Sequence, residues 1–284
     1  AFITNIFYME NKTVIGFIGA GNMAYALIKG LLSNGFDAKN INVSDSNKEL
    51  LINRQSELKI TTYSDNNSLL DNSDIVVFAV KPQVLSIVCL QLKNKVKSNH
   101  LFVSIVAGIR GNDINRWLGG NFALVRTMPN TPALFQSGVT GLFANDLVSN
   151  QQKELVTSIL SSVGECFWVD DEKLIDAITA ISGSGPAYFF LLMQSITQAA
   201  TALGLDEKTA NSLSIQTSLG ASLMATKSGK DSKTLRKEVT SPNGTTQAAI
   251  ESFQDQNFEG IVAAATRAAY DRARELSNDL GDVE

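Results

Sequence analysis

The sequence has few of the side chains that bind metals or form disulfides. Its 284 residues contain one histidine and two cysteines, Cys89 and Cys166, which lack C-x-x-C spacing. Buried, reduced thiols in a cytosolic protein are therefore the expected state of both cysteines. The histidine, His100, lies in the polar stretch KSNHL, so we expect a surface or loop residue rather than a ligand. No metal site is predicted.

The sequence also lacks an excess of basic residues and long apolar runs. The formal net charge is −4, so no surplus of cations exists to neutralise nucleic-acid phosphates. No apolar run approaches the roughly 20 residues that span a bilayer. Residues 1–12 lack a basic n-region and a small-residue cleavage site, which argues against a signal peptide; Met9 is a candidate natural start, and residues 1–8 are left out of the fold reasoning. We expect a cytoplasmic protein that binds neither nucleic acid nor membrane.

The pattern of the sequence changes near residue 170. Before it, short apolar β-branched runs alternate with helical stretches, which predicts an α/β Rossmann domain with a doubly wound, mainly parallel sheet at residues 12–170. After it, helical periodicity predicts an all-α domain at residues 171–284. The clearest predicted strands are 13–18, 41–44, 74–80, 101–107 and 122–127. The clearest predicted helices of the second half are 171–182, 186–204, 206–227, 245–254 and 258–277.

The helices of the second half are more apolar than a lone bundle of this size needs. Small residues recur along them, which lets helices pack closely. We expect this half to bury much of its surface against another subunit. A self-contained bundle is the alternative.

A glycine-rich loop follows the first predicted strand. Gly19, Gly21 and Ala24 form the pattern G-x-G-x-x-A and are followed by a helical stretch that ends at Asn34-Gly35. Gly19 permits a tight turn, Gly21 lets backbone amides approach a pyrophosphate, and Ala24 allows close helix–strand packing. This context predicts a dinucleotide site, and a tight turn without a ligand is the alternative.

Residues after the second predicted strand give conflicting signals on the cofactor. Asp45 lies near the place where an acid holds the ribose 2′-hydroxyl of NAD. Ser44, Ser46, Asn47 and Lys48 offer donors suited to the 2′-phosphate of NADP. Both cofactors stay open at this point.

Loops after the later predicted strands fall at the same sheet edge. Lys81 and Pro82 end one strand and Gly108 follows another, where open α/β sheets bind ligands. Between two prolines, Asn130 and Thr131 form a stiff loop whose polar groups we expect to face this crevice. The predicted pocket is therefore composite.

The stretch VTSPNGTT, residues 239–246, places hydroxyls and turn residues directly before an apolar helical run. A turn with a helix N-cap explains it, but one Ser or Thr would suffice for a cap. A pocket for a small anion is the other interpretation, because a helix start offers free N–H groups and positive potential.

Seven motifs in order resemble the pyrroline-5-carboxylate reductase family from about Lys12 to the last helix. They are GFIGAGNMA, AVKPQ, SIVAGI, RTMPNTPA, ISGSGPAY, VTSPNGTT and AATRAAYDRAREL. The resemblance implies an NAD(P)H-dependent oxidoreductase that reduces Δ1-pyrroline-5-carboxylate to L-proline, the last step of proline biosynthesis. It also implies a Rossmann domain followed by a helical dimerisation domain, with homodimers that can assemble into a decamer. NADPH is the implied cofactor, with NADH as the alternative.

The resemblance also assigns site residues by position. Along the cofactor it implies Gly19, Gly21, Asn22, Met23, Ser44, Asp45, Ser46, Asn66, Ala79, Val80, Lys81, Pro82, Ala107 and Gly108. For the substrate carboxylate and ring nitrogen it implies Val239, Ser241, Asn243, Gly244, Thr245 and Thr246. Thr246 is the candidate catalytic residue, as a hydrogen-bond partner of the ring nitrogen. A protonated imine is already a strong electrophile, so this chemistry rests on orientation and electrostatics.

One position departs from the family pattern. The family has Gly-Gly where this chain has Asn243-Gly244. Asparagine tolerates positive φ better than most residues, so we expect the turn to survive unless the conformation is one that only glycine adopts.

Two rival functions remain. A β-hydroxyacid dehydrogenase would need a catalytic lysine in the helical domain, and SGSGPAYFFLLMQ contains none. A non-catalytic NADP-binding sensor would need the glycine loop but not the hydroxyls of SPNGTT.

Overall fold

The computed structural model of the chain describes residues 13–281. The candidate start at Met9 and the expectation about a signal peptide in residues 1–12 lie outside them. The contacts divide the described chain into two units. The first unit comprises residues 13–184 and 269–281, and the second comprises Gly185–Ala268. The predicted domain boundary between residues 170 and 171 stays a prediction.

The first unit is built on one eight-stranded sheet with the strand order β3-β2-β1-β4-β5-β6-β7-β8. All neighbouring strands are parallel except β6 and β7, which pair antiparallel. The strands are β1 (Ile15–Ile18), β2 (Ile41–Ser44), β3 (Thr61–Tyr63), β4 (Ile75–Phe78), β5 (Leu101–Ser104), β6 (Ala123–Met128), β7 (Gly138–Ala144) and β8 (Gly164–Trp168).

Helices cover both faces of this sheet, and the sequence pattern shows why. Ile75 and Val77 of β4 enter one apolar cluster, whereas Val76 and Phe78 enter the other. Successive strand residues point to opposite faces, so a strand buried on both sides is apolar throughout. The helices of this unit before residue 184 are α1 (Asn22–Ser33), α2 (Lys48–Leu58), α3 (Asn66–Asp71), α4 (Pro82–Leu92), α5 (Gly111–Leu118), α6 (Asn150–Ser161) and α7 (Leu174–Ile178). The predicted α/β fold class with a helical second part is confirmed.

Helix α7 is followed by one π-helical turn, Thr179–Gly183. The remaining helices are α8 (Gly185–Ala202), α9 (Glu207–Lys227), α10 (Ser232–Glu238), α11 (Thr245–Asp255) and α12 (Phe258–Gly281). Residues from 269 onward in α12 belong to the first unit. Gly108 faces this helix end, since a Cβ built on it would lie 3.5 Å from Leu276 Cβ and 3.5 Å from Leu280 Cδ1.

The second unit has almost no apolar core of its own. Among its described residues, Ala210 is the one apolar side chain in the buried core. Phe189, Phe190 and Leu191 on α8 are 62%, 63% and 65% exposed. A groove of about 330 Å³ between α8 and α9 is lined by apolar and small hydroxyl side chains, among them Leu192, Ile196 and Leu213. These exposed side chains favour the expectation that this half packs against another subunit over the alternative of a self-contained bundle.

The run Leu174–Ala202 corrects the expectation about apolar length. By length and composition alone it could span a bilayer, and 22% of its most apolar window is buried. One such helix is weak evidence for a membrane protein, because helices that pack in cores pass the same test. The sequence expectation missed it because a few polar residues interrupt the run.

His100 is buried, which corrects the expectation that it lies at the surface. It does belong to a loop, just before β5, but its Nδ1 accepts a hydrogen bond from Lys97 N at 3.1 Å and its ring packs edge-on against Phe102. Desolvation, together with the charge of Lys97, lowers the pKa of the imidazole, so His100 is a neutral structural residue.

The two cysteines are free thiols, and they differ in burial. Cys89 is buried in α4, and desolvation raises the pKa of its thiol to about 12. Cys166 is only partly buried, and desolvation raises its pKa as well. No group of three or more His, Cys, Asp or Glu residues within residues 13–281 could hold a metal ion.

Candidate active site

The glycine loop lies where the sheet order reverses, between β1 and β4. Gly19 has φ +106°, and a Cβ built on it would lie 2.5 Å from Ala79 O. Its N–H donates to Ser44 O at 2.8 Å. Glycine is therefore required at position 19 both by conformation and by the close approach of β4. Ligands of open α/β sheets bind in the crevice at this reversal.

Helix α1 begins at the loop with free donors. Its N-cap is Gly21, and no side chain caps the helix. A Cβ added to Gly21 would meet nothing within 4 Å, so the space beside it is open. In the part of the chain that the structure describes, the N–H groups of Gly21 and Asn22 donate no hydrogen bond. Open space beside free amides fits a pyrophosphate at a helix start, with Asn22 exposed and Met23 half-buried next to it.

Asp45 turns its carboxylate toward the glycine loop. Its Oδ2 accepts from Ala20 N at 2.8 Å, and its Oδ1 accepts from Asn47 N at 2.8 Å. Ser46 and Lys48 are exposed beside it. The sequence left open which way Asp45 points. In the structure both carboxylate oxygens of Asp45 accept hydrogen bonds from backbone amides. The exposed side chains of Ser46 and Lys48, which can donate hydrogen bonds, lie on either side of Asn47.

Ser44 and Asn66 meet at the carboxyl end of β2. Ser44 Oγ donates to Asn66 Oδ1 at 2.8 Å. Asn66 is the first residue of α3, and Asp65 caps that helix through a bond from Ser68 N. The structure therefore brings these two predicted cofactor residues together.

The ends of β4 and β5 carry the remaining predicted cofactor residues. Ala79 and Val80 follow β4 and are half-buried, and Lys81 is the exposed N-cap residue of α4, with Pro82 as its first residue. Ala107 is exposed after β5, and Gly108 adopts φ +74°.

Asn130 does not face a crevice, which corrects the sequence expectation. Its Nδ2 donates to Ser182 O at 3.0 Å, and its Oδ1 accepts from Val139 N at 2.9 Å. The side chain is buried and ties the loop to the π-helical turn and to β7. A buried amide with both ends bonded is structural. Thr131, in contrast, is exposed.

The stretch 239–246 in the second unit forms a turn between α10 and α11. Val239 is the C-cap residue of α10 and is 55% exposed. Gly244 N donates to Ser241 O at 3.0 Å. Asn243 adopts φ +59°, a left-handed conformation that asparagine tolerates. The departure from Gly-Gly is thus accommodated at Asn243. Gly244 is close-packed, since a Cβ there would lie 3.1 Å from Ser241 O.

No hydroxyl of this stretch caps α11, which corrects the expected dual use as an N-cap. The N-cap is Gly244 and makes no side-chain cap bond. Among the described residues, the hydroxyls of Ser241, Thr245 and Thr246 have no hydrogen-bond partner. Instead, Gln247 Oε1 accepts from Asn243 N at 2.7 Å. The hydroxyls and the first amides of α11 are therefore free to bind an anion.

Sequence reasoning missed two residues that hold these loops. Arg54 of α2 donates through Nε to Ala20 O at 3.3 Å in the glycine loop. Gln247 holds Asn243, and Gln247 Nε2 donates to Glu251 Oε1 at 2.7 Å. A glutamine three residues after an N-cap is a capping-box signal that could have identified Gln247. No pattern in the sequence indicates Arg54.

Comparison with known proteins gives a consistent result. The family model described as NADP oxidoreductase coenzyme F420-dependent matches residues 14–108, and the model described as pyrroline-5-carboxylate reductase dimerisation matches residues 172–276. A pyrroline-5-carboxylate reductase of Pseudomonas aeruginosa is 49% identical over 94% of this chain and 98% of its own length.

Solved structures agree with the sequence comparison. A pyrroline-5-carboxylate reductase from Coxiella burnetii has a TM-score of 0.89 and 41% identity, over 94% of this chain and 99% of that chain. A pyrroline carboxylate reductase from Plasmodium falciparum with NADP bound has a TM-score of 0.83 and 29% identity, again over 94% and 99%. The chain belongs to the pyrroline-5-carboxylate reductase family.

Proposed function

We propose that this chain reduces Δ1-pyrroline-5-carboxylate to L-proline with NADPH, the last step of proline biosynthesis. The observation that carries the proposal is the uncapped start of α11, where the hydroxyls of Ser241, Thr245 and Thr246 lack partners within the described chain. Such a group of donors fits a small carboxylate, and relatives of up to 49% identity are named for this activity.

The glycine loop of the first unit would hold the cofactor. Gly21 and Asn22 offer their N–H groups to the pyrophosphate, and Gly19 allows β1 and β4 to approach closely beneath it. Ser44 and Asn66 would border the adenosine side, and Ala79–Pro82 with Ala107 and Gly108 the nicotinamide side. When bound, the reduced nicotinamide supplies the hydride that the imine carbon accepts.

The residues of the second unit would bind and orient the imine. The N–H groups of Thr245 and Thr246 and the hydroxyl of Ser241 hold the carboxylate at the positive end of α11. The Thr246 hydroxyl hydrogen-bonds the ring nitrogen and so keeps the protonated imine aligned. Val239 and Asn243 shape the turn around the ring.

NADPH is the preferred cofactor in this proposal, with NADH as the weaker alternative. Both oxygens of Asp45 accept backbone N–H groups, which offsets part of its charge and reduces its repulsion of a 2′-phosphate. Ser46 and Lys48 are exposed beside it and can bind that phosphate. We expect Lys48→Ala to lower kcat/KM for NADPH several-fold and to leave the value for NADH unchanged. Equal losses for both cofactors would remove Lys48 from 2′-phosphate binding.

A homodimer is part of the proposal, and a decamer built from such dimers is the larger assembly that the family resemblance implies. The exposed apolar side chains of the second unit and the match of residues 172–276 to a dimerisation model support association. Light scattering distinguishes a mass of one, two or ten chains. A cytoplasmic location, without nucleic-acid or membrane partners, completes the proposal.

The direct test is the loss of reduced-nicotinamide absorbance with pyrroline-5-carboxylate, run in parallel with NADPH and NADH. We expect oxidation that depends on the imine and is faster with NADPH at subsaturating cofactor. Tight cofactor binding without imine turnover would instead support the sensor function. Imine-independent oxidation would refute the proposal as well.

A further inference from the structure

The peptide groups on either side of Ala20 are held by two side chains. Asp45 Oδ2 accepts from Ala20 N at 2.8 Å, and Arg54 Nε donates to Ala20 O at 3.3 Å. Ala20 is the middle residue of Gly19-Ala20-Gly21, and its side chain is 1% exposed. Both bonds come from outside the loop, one from the end of β2 and one from α2.

Arg54 is itself fixed by its neighbours. Its guanidinium lies 4.1 Å from the centre of the Tyr25 ring, and its side chain is only 15% exposed. Nη1 of Arg54 lies 3.8 Å from Glu57 Oε2, and the Tyr25 hydroxyl donates to Glu57 Oε1. Stacking on an aromatic face and a nearby carboxylate immobilise a guanidinium before any ligand arrives.

The bond to Ala20 O determines where the next amide points. In a trans peptide the C=O and the following N–H point in opposite directions. Holding Ala20 O toward Arg54 therefore turns the N–H of Gly21 away from Arg54. That N–H donates no hydrogen bond within the described residues, and the space beside Gly21 is open.

We propose that Arg54 is a positioning residue for the cofactor, acting through Ala20 to aim the Gly21 amide at the pyrophosphate. The inference rests on the proposed function, because it takes the glycine loop as the pyrophosphate site. Asp45 completes the arrangement by fixing the peptide before Ala20. In this proposal Arg54 acts through Ala20 and not as a phosphate ligand, since its Nε is engaged with Ala20 O and its Nη1 faces Glu57.

Two ligand fragments separate this role from a direct contact. ADP-ribose contains the pyrophosphate, whereas adenosine 2′-monophosphate carries the 2′-phosphate but no pyrophosphate. For Arg54→Met, which keeps a stem that packs on Tyr25, we expect the Kd of ADP-ribose to rise about tenfold, the loss of one charge-assisted hydrogen bond. The Kd of adenosine 2′-monophosphate should stay within twofold of the unmodified protein. NADPH and NADH should weaken by the same factor.

Conservative and control variants sharpen the test. Arg54→Lys keeps the cation but loses the planar fork, so it should recover part of the ADP-ribose affinity. Tyr25→Phe keeps the ring and should have a smaller effect than Tyr25→Leu, which removes it. Arg272→Met removes an exposed arginine paired with Glu275 and should leave every affinity unchanged. If Arg54→Met fails to fold, Arg54→Lys and Tyr25→Leu supply the same comparison.

Three results would overturn the inference. ADP-ribose affinity that Arg54→Met leaves unchanged would show that the loop does not need Arg54. Equal losses for both fragments would indicate general damage to the site. A loss for NADPH without one for NADH would make Arg54 a direct ligand of the 2′-phosphate. Failure of the proposed function is distinguishable from all three, because it appears in the unmodified protein as absent imine turnover.

Discussion

The two units of this chain bury their apolar side chains to very different extents. In residues 13–184 and 269–281, strands such as β4 are buried on both faces, in two apolar clusters that lie on opposite sides of the sheet. In Gly185–Ala268, the buried apolar core of the described chain contains Ala210 alone, while Phe190 and Leu213 are 63% and 52% exposed. Apolar area left in water is unfavourable by roughly 25 cal/mol per Å². The first unit therefore contains its own core, whereas the second leaves apolar side chains exposed that, in our proposal, another copy of the chain covers.

The largest expected effect comes from a charge placed on the exposed apolar face of the second unit. Leu213→Asp should weaken self-association by on the order of 3 kcal/mol, about a hundredfold, because an interface cannot solvate the carboxylate. The mass measured by light scattering and the imine-dependent activity should fall together. Leu90→Asp is the matched control, since Leu90 is 45% exposed on α4 of the first unit. If both variants lost mass and activity to the same extent, the apolar surface of the second unit would not differ in role from that of the first.

The next effect concerns the hydroxyl at the start of α11. Thr246→Ala should lower kcat/KM for the imine by about 10- to 100-fold, as expected for one lost donor at a reacting group. The Kd for NADPH should not change, since the residues proposed to hold that cofactor lie in the first unit. The control is Thr226→Ala, whose hydroxyl bonds Ser222 O within α9. An unchanged kcat/KM would remove Thr246 from the mechanism.

A smaller effect is expected at the support of the Asn243 turn. Gln247→Ala removes the acceptor of the Asn243 N–H, worth about 1 kcal/mol, so the KM for the imine should rise about fivefold. Gln256→Ala removes exposed bonds to Ser252 at the other end of α11 and should leave KM unchanged. Stability loss with a constant KM would mean that Gln247 supports the helix but not the binding turn.

The last comparison tests the interior of the first unit, where the effect appears only at alkaline pH. The folded state holds the pKa of Cys89 at about 12, whereas the ordinary value is 9.0. Stability from this neutral, buried thiol is fully present below pH 9 and is lost as the pH rises toward 12, by at most about 1.4 kcal/mol per pH unit. Denaturation of the unmodified protein should therefore depend more steeply on pH above 9 than that of Cys89→Ala. If the free energy of unfolding depended on pH equally in both proteins, the Cys89 thiol would be in contact with solvent.

The sequence correctly predicted the elements that have a strong hydrophobic periodicity or a strong motif. Strand β2 begins and ends at residues 41 and 44, as predicted, because both neighbours and both faces bury it. Strands β3, β7 and β8 were missed: β3 has three residues, β7 contains two glycines, and β8 alternates half-buried and exposed residues at the sheet edge. Helix α10 was missed because its sequence, SKTLRKE, is polar and has no buried residue.

Parts of the candidate site depend on contacts that sequence spacing does not contain. The glycine loop could be located from its motif because one residue type is tolerated at Gly19. Asn130 was expected to face the crevice, yet it bonds Ser182 O in a π-helical turn that no periodicity indicates. The bond from Arg54 to Ala20 joins residues 34 positions apart. Such long-range hydrogen bonds are set by the folded sheet and not by local pattern.

The most direct test of the account is imine-dependent NADPH oxidation followed over a dilution series, with the mass measured at each concentration. We predict oxidation that requires pyrroline-5-carboxylate, and a specific activity that falls as the assembly dissociates, because the second unit then loses its core. Fully active single chains would contradict the shared core, and an assembled protein without imine-dependent oxidation would contradict the proposed reductase.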